Sequence, residues 1–86
     1  MMKNNIIDAI EQKVGATSYA LWTIGVTDDP DSTRALLESI DAPVLYWEYW
    51  KTCSDSDTKE ILRYFLDKGM RLSVGSNGDT GGVYIF

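Results

Sequence analysis

Apolar residues recur at helical spacing in three segments of the chain. The pattern predicts helices from Asn5 to Val14, from Pro30 to about Ile40, and from the 54–57 segment to Gly69. Asn4 or Asn5 is expected to cap the first helix, because its side-chain oxygen accepts from the unpaired amides of a first turn. Asp29 is expected to cap the second helix, since the Pro30 that follows it lacks an amide hydrogen where none is needed.

Four segments have the composition of β-strands. They are Tyr19 to Thr27, Val44 to Trp50, a short stretch within Met70 to Val74, and Val83 to Phe86. The first has few polar breaks on either face, so we expect it inside a sheet and not at an edge. In the second, Tyr46 and Trp50 are expected on one face and Trp47 and Tyr49 on the other, with at least one face in the core.

Helices that alternate with strands predict a single domain, residues 1–86, of the α/β (α+β) class. We expect two layers, in which three helices pack on a small sheet of three to four strands. The sheet is mixed or antiparallel in this prediction, because so few strands leave the antiparallel order as open as the parallel one.

The charge balance argues against nucleic acid as a general partner. Eight Lys and Arg against thirteen Asp and Glu give a formal net charge of −5, and the basic residues are spread along the sequence. A negative surface repels a phosphate backbone but does not repel a basic or uncharged protein. A protein partner is therefore favoured.

Cysteine usage and hydropathy indicate the compartment. The single cysteine, Cys53, cannot form an internal disulfide, so the fold does not depend on an oxidising environment. The chain starts with polar residues, and no apolar run approaches the roughly 18 residues of a membrane span. We therefore expect a cytoplasmic protein with no membrane partner.

Two short segments resemble motifs of the GIY-YIG nuclease superfamily, whose members are small α/β domains. Thr23-Ile24-Gly25 resembles the YIG tripeptide with Thr in place of Tyr, and Arg34 lies where the family arginine follows on the next helix. Glu60 is the best match for the metal-binding glutamate. Gly82-Val83-Tyr84 resembles the GIY tripeptide, but it follows the other motif in the chain and fills that place only in a permuted order.

This resemblance implies a metal-dependent nuclease as one function. Glu60 would hold Mg²⁺ or Mn²⁺, Arg34 would lie near the scissile phosphate, and Tyr19 or Tyr84 would activate water. Structural roles also explain the same residues, with Arg34 as a solvated helix residue and Glu60 as a helix-cap partner. The nuclease is therefore the alternative to a degenerate, non-catalytic domain, for which no cofactor is expected.

The chain also resembles a group of small bacterial and phage proteins. The shared segments are Thr23 to Pro30, Phe65 to Met70 and Val83 to Phe86. This second similarity implies a common fold and brings no established activity with it.

The main hypothesis is a protein-interaction module that uses two parts of the chain. They are the aromatic segment, Tyr46 to Trp50, and the glycine-rich loop, Gly75 to Gly82. The candidate partner-binding residues are Tyr46, Trp47, Tyr49, Trp50, Asn77 and Gly78. One face of the aromatic segment must enter the core, and the other would present large rings of the kind that protein interfaces bury. A homodimer is a second arrangement of this hypothesis. A third function left open is an acidic inhibitor that mimics nucleic acid and docks on a basic protein.

Overall fold

The computed structural model describes residues 2–76, 78 and 81–86 and confirms the α+β class. In that part of the chain the helices are α1 (Lys3–Val14), α2 (Pro30–Ser39) and α3 (Asp55–Asp67). The strands are β1 (Thr23–Thr27), β2 (Glu48–Lys51), β3 (Arg71–Leu72) and β4 (Gly82–Ile85). Short 3₁₀ turns at Tyr19–Leu21 and Val44–Tyr46 precede β1 and β2.

The strands form one mixed sheet in the order β2-β4-β1-β3. β4 runs antiparallel to both of its neighbours, whereas β3 runs parallel to β1. β1 therefore lies inside the sheet, as its composition predicts, and β2 and β3 form the edges. In the central pair, Gly25 lies opposite Tyr84 and Thr27 lies opposite Gly82.

The main core lies between one face of the sheet and the pair α1 and α3. Ile24 of β1, Ile10 of α1 and Phe65 of α3 are all fully buried there. The cluster is completed by Ile6, Val14, Val26, Trp50, Ile61, Met70, Val83 and Ile85. Burial of one such side chain contributes about 1.5–3 kcal/mol. The helical periodicity of α1 and α3 is explained by this single shared layer.

The helix α2 packs on the other face of the sheet through its buried residues Thr33 and Leu37. The Thr33 hydroxyl lies 2.7 Å from the hydroxyl of Thr27, which is on the face of β1 that points away from the main core. Leu37 lies beside Gly75, since a Cβ at Gly75 would come within 3.5 Å of Leu37 Cδ2. This face therefore has its own small core next to Tyr84.

Helix starts follow local chemistry where a suitable side chain is present. Asp29 caps α2 by accepting from the amide of Ser32, as predicted, and Ser54, the first residue of the 54–57 segment, caps α3 by accepting from the amide of Asp57. The predicted asparagine cap of α1 is wrong. α1 begins at Lys3, and Met2 occupies its N-cap position without a side-chain hydrogen bond.

Two strands begin later than their composition indicates. Residues 19–21 form a 3₁₀ turn, in which Ser18 Oγ accepts from the amide of Ala20, so the predicted strand start at Tyr19 is wrong. The predicted strand start at Val44 is wrong for a similar reason, because residues 44–46 form a turn directly after Pro43. Tyr46 therefore lies outside β2.

Candidate functional site

Arg34 and Glu60, the residues predicted to carry nuclease chemistry, lie on helices that pack against opposite faces of the sheet. On α2, Arg34 Nε donates to Glu38 Oε1 over 3.2 Å, and both side chains are at least half exposed. On α3, Glu60 forms an ion pair with Lys3 of α1. The hydrogen bond to Glu60, together with its charge, raises the pKa of Lys3. Each charged group thus has a nearby partner of opposite sign.

The two tyrosines predicted to activate water occupy different environments. Tyr84 is fully buried, and its hydroxyl donates to Ser73 Oγ over 2.6 Å. Burial raises the pKa of Tyr84. Tyr19 is partly buried against Phe65, with its hydroxyl 3.5 Å from a carboxylate oxygen of Glu11, and desolvation raises its pKa as well. Both hydroxyls are therefore held in the protonated form near neutral pH.

No hydrogen bond or ion pair joins any two of Arg34, Glu60, Tyr19 and Tyr84 in the described part of the chain. The described part of the chain contains no cluster of three or more His, Cys, Asp or Glu side chains placed to hold a metal ion. It also contains no helix with the length and hydropathy that would cross a bilayer.

The two motif-like tripeptides lie side by side in the sheet. Thr23-Ile24-Gly25 is in β1 and Gly82-Val83-Tyr84 is in β4, and the strands pair in antiparallel fashion with Gly25 opposite Tyr84. The Tyr84 ring lies directly over Gly25, because a Cβ built on Gly25 would overlap that ring. These two segments are far apart in the chain, and they become neighbours because β1 and β4 pair in the sheet.

The aromatic segment faces inward more than its composition indicates. Trp50 is only 6% exposed in the main core, and Trp47 stacks on Tyr84 with ring centroids 4.5 Å apart. Tyr49 crosses Gly82, and its hydroxyl lies 3.5 Å from the carbonyl of Thr27. Burial, with the charge of Asp28 as a smaller cause, raises the pKa of Tyr49.

Tyr46 is the residue of that segment that stands in solvent, with 64% of its surface exposed. It follows Leu45, which is 82% exposed in the same 3₁₀ turn. Of the loop residues predicted to bind a partner, Gly78 is exposed with a φ of 70°, and Asn77 lies outside the described residues.

Two shallow apolar depressions meet at Pro43 and, with Leu45, define a surface that we call the apolar face. The smaller depression, about 230 Å³, is lined by Thr17, Leu21, Trp22, Pro43 and Tyr46. The larger, about 260 Å³, has Ile40, Ala42, Pro43, Leu72, Val74 and Phe86 among its lining residues. Trp22 is held in place by a hydrogen bond from its indole nitrogen to Thr17 Oγ1. Sequence reasoning missed most of this surface.

Three of the residues that were missed are large aliphatic residues at or beyond the end of an element. Ile40 follows α2, Leu72 ends β3, and Val74 lies just after it, each at least half exposed. The pattern includes Ile40 in the apolar spacing of the second helix and Leu72 and Val74 in a strand. Whether another element covers these side chains depends on residues distant in the chain.

Arg71 lies on the rim of the larger depression and is exposed. Within the described residues no ion pair involves its guanidinium, whereas Lys3, Lys13 and Arg34 each pair with a glutamate. An exposed cation thus stands beside an apolar surface on a protein whose net charge is −5.

The chain matches no protein-family model, and comparisons with curated proteins and with solved structures also give no match.

Proposed function

We propose that this protein is a non-catalytic protein-binding module whose contact surface is the apolar face. The observation that carries the proposal is the meeting of two apolar depressions at Pro43, with Leu45 82% exposed and Val74 81% exposed. Covering apolar surface contributes about 25 cal/mol per Å² removed from water, so a partner with an apolar segment is stabilised there. Contiguous exposed apolar surface on small proteins is typical of interaction sites.

The partner is a protein and not a nucleic acid. With a net charge of −5, the protein repels a phosphate backbone. Among the residues that line the two depressions, the basic one is Arg71, in the larger depression. Base stacking on rings such as Tyr46 needs flanking cations to hold the backbone, and the smaller depression is lined by none. An apolar protein segment requires no such cations.

A random peptide library displayed on phage tests this function. Clones selected on the wild-type protein are measured against the double variant Leu45→Ser with Tyr46→Ser, and Arg63→Ser on α3 is the matched control. We expect selected peptides that bind wild type and control equally and bind the double variant at least about tenfold more weakly. Failure to select any clone with that preference would overturn the proposal.

The acidic-inhibitor hypothesis gives a different outcome in the same selection. The enriched peptides would then be rich in Lys and Arg, and their affinity would fall steeply with added salt. The double variant at Leu45 and Tyr46 would bind such peptides as well as the wild type does.

A metal-dependent nuclease is the second candidate function. It is favoured by the side-by-side placement of Thr23-Ile24-Gly25 and Gly82-Val83-Tyr84, since the second segment could fill the GIY place in a permuted order. Incubation with DNA or RNA and either Mg²⁺ or Mn²⁺ tests it. Cleavage that Glu60→Ala abolishes, and that Glu48→Ala leaves intact, would support the nuclease and contradict the non-catalytic module, because Glu48 pairs with Lys13 and not with a candidate catalytic residue.

A further inference from the structure

An open sheet edge lies along β3, beside the larger depression. The amide of Arg71 donates to the carbonyl of Trp22, and the amide of Ser73 donates to the carbonyl of Ile24, so both point toward β1. Successive amides of a strand point to opposite edges, which turns the N–H and C=O of Leu72 outward. Leu72 is 55% exposed, and within the described residues β3 is the last strand on this side of the sheet. Such an edge is a template for another strand.

The opposite edge of the sheet is less suited to a partner, because β2 carries a charged residue at each of its ends, whereas β3 carries one charged residue. β2 begins at Glu48 and ends at Lys51, and Glu48 is tied to Lys13 by an ion pair of 2.9 Å. Natural sheets use charged edge residues to prevent pairing with other chains. At β3, by contrast, the apolar residues Leu72 and Val74 stand exposed.

The larger depression gives an added strand a place for its side chains. Ile40 and Pro43, which follow α2, line it together with Val74 of the β3 side. When a peptide adds to a sheet edge, main-chain hydrogen bonds give affinity and pockets for alternate side chains give specificity. Thr23 and Phe86 also line the depression, so it lies over the sheet face beside this edge, within reach of alternate side chains of an added strand.

Charge selects among the possible occupants of this edge. Arg71 is exposed on the groove rim and makes no ion pair with any described residue, so a carboxylate of the partner is complementary to it. A second copy of the chain is disfavoured. Two-fold antiparallel pairing through Leu72 would put the two Arg71 side chains at diagonal positions on one face, and both chains carry a net charge of −5.

From these contacts we infer that the β3 edge accepts an extended segment of a partner protein, with apolar side chains at alternate positions and a carboxylate beside Arg71. This inference rests on the proposed function, because it specifies how one part of the apolar face binds its partner. The bound segment becomes a fifth strand, hydrogen-bonded through the main chain of Leu72.

The test uses the full chain and a synthetic peptide, Glu-Val-Thr-Val-Thr-Val-Glu, with both ends blocked. Two matched peptides accompany it, one with Lys in place of both Glu, and one with N-methyl groups on the central amides. Binding is followed by the amide shift and hydrogen exchange of Leu72. We expect exchange at Leu72 to slow on binding, and the N-methylated peptide to bind about tenfold more weakly because edge hydrogen bonds are lost.

Protein variants test the charge contact. Arg71→Gln should weaken binding of the Glu peptide about two- to fivefold, the range of an exposed ion pair. Arg63→Gln removes a cation from the exposed side of α3 and should leave binding unchanged. The Lys peptide should bind wild type more weakly than the Glu peptide and should lose this disadvantage on Arg71→Gln.

The outcomes separate this inference from the proposed function. Peptide binding that shifts Leu45 and Tyr46 but leaves exchange at Leu72 unchanged would overturn strand addition and leave the apolar face as a binding surface. If phage-selected peptides bind but the Glu peptide does not, strand addition is again overturned and the apolar face again remains a binding surface. A concentration-dependent dimer in which Leu72 is protected without peptide would place a second copy on this edge and overturn the inference.

Discussion

Tyr84 lies across Gly25 on the neighbouring strand, and its hydroxyl continues over β1 to donate to Ser73 at the β3 edge. One side chain therefore spans three adjacent strands of the sheet. The ring also stacks on Trp47, so the face opposite the main core is organised around it.

Gly25→Ala should destabilise the fold strongly. A Cβ at this position overlaps the Tyr84 ring, which is pinned by Ser73 on one side and stacked on Trp47, so it has little room to move. Overpacking of this kind costs about 1–3 kcal/mol. Urea unfolding of the variant measures the loss, and Gly78→Ala, with open space around the added Cβ, is the control for introducing an alanine. Because Gly78 has a positive φ, Gly78→Ala adds backbone strain but no overlap of the new Cβ with other atoms.

Tyr84→Phe removes one hydroxyl and keeps the ring. Ser73 Oγ then loses the donor at 2.6 Å while it still accepts from the amide of Gly75. Loss of a buried hydrogen bond costs about 0.5–1.5 kcal/mol, so we expect a smaller destabilisation than for Gly25→Ala. A Tyr84→Phe variant as stable as the wild type would show that the buried hydroxyl contributes nothing.

The stability of the protein should decline at alkaline pH. Burial raises the pKa of Tyr84 above its usual value of about 10, so the folded state favours the neutral hydroxyl. Below that value both states are protonated and stability is fully present. As pH rises above it, the unfolded chain ionises first and stability is lost up to and through the raised pKa of the folded state. Thermal unfolding between pH 8 and 12 should show a shallower decline for Tyr84→Phe than for the wild type.

Arg34→Ala and Glu60→Ala should each change stability little, and their effects should add. Each removes one exposed ion pair, to Glu38 or to Lys3, and such pairs contribute about 0–1 kcal/mol. The two sites lie on opposite faces of the sheet, so a double-mutant cycle should give a coupling energy near zero. A coupling above about 1 kcal/mol would mean that the two side chains interact in the folded protein.

Leu45→Ser should leave the free energy of unfolding within about 0.5 kcal/mol of wild type, because the side chain is 82% exposed. Trp47→Ser should destabilise the protein by several times that amount, since Trp47 stacks on Tyr84 and Phe86. Chemical denaturation of both variants checks the contrast. Equal losses would mean that Leu45 packs on the protein and is not free for a partner.

The sequence allowed prediction of those parts of the fold that depend on neighbours in the chain. The cap at Asp29 and the helical spacing of the apolar residues in α3 are local features, and both were confirmed. The 3₁₀ turns were missed because the segments that contain Tyr19 and Tyr46 are rich in residues that favour strands. A single hydroxyl at Ser18 and a proline at Pro43 nevertheless determine the local backbone there.

The candidate site could be predicted less well, because it depends on which elements the sheet brings together. Arg34 and Glu60 are each placed correctly on a helix, but the face on which that helix packs follows from strand order. The contact of Tyr84 with Gly25 joins distant parts of the chain, and no local pattern marks it. The apolar face lies mostly at element ends, and whether other elements cover it follows from the sheet order and not from the local pattern.

The order of the sheet also determines when it can form. β4 lies between β1 and β2 but comes after both in the chain, so these two strands have no direct pairing with each other. The pairing of β1 with β4 closes a loop that includes α2 and α3, and the pairing of β2 with β4 closes a loop that includes α3. Such long loops must lose conformational entropy before these strands pair. We therefore expect slow folding for so small a protein. Until β4 docks, the apolar faces of β1 and β2 remain exposed, and the folding chain is most prone to aggregate in that interval.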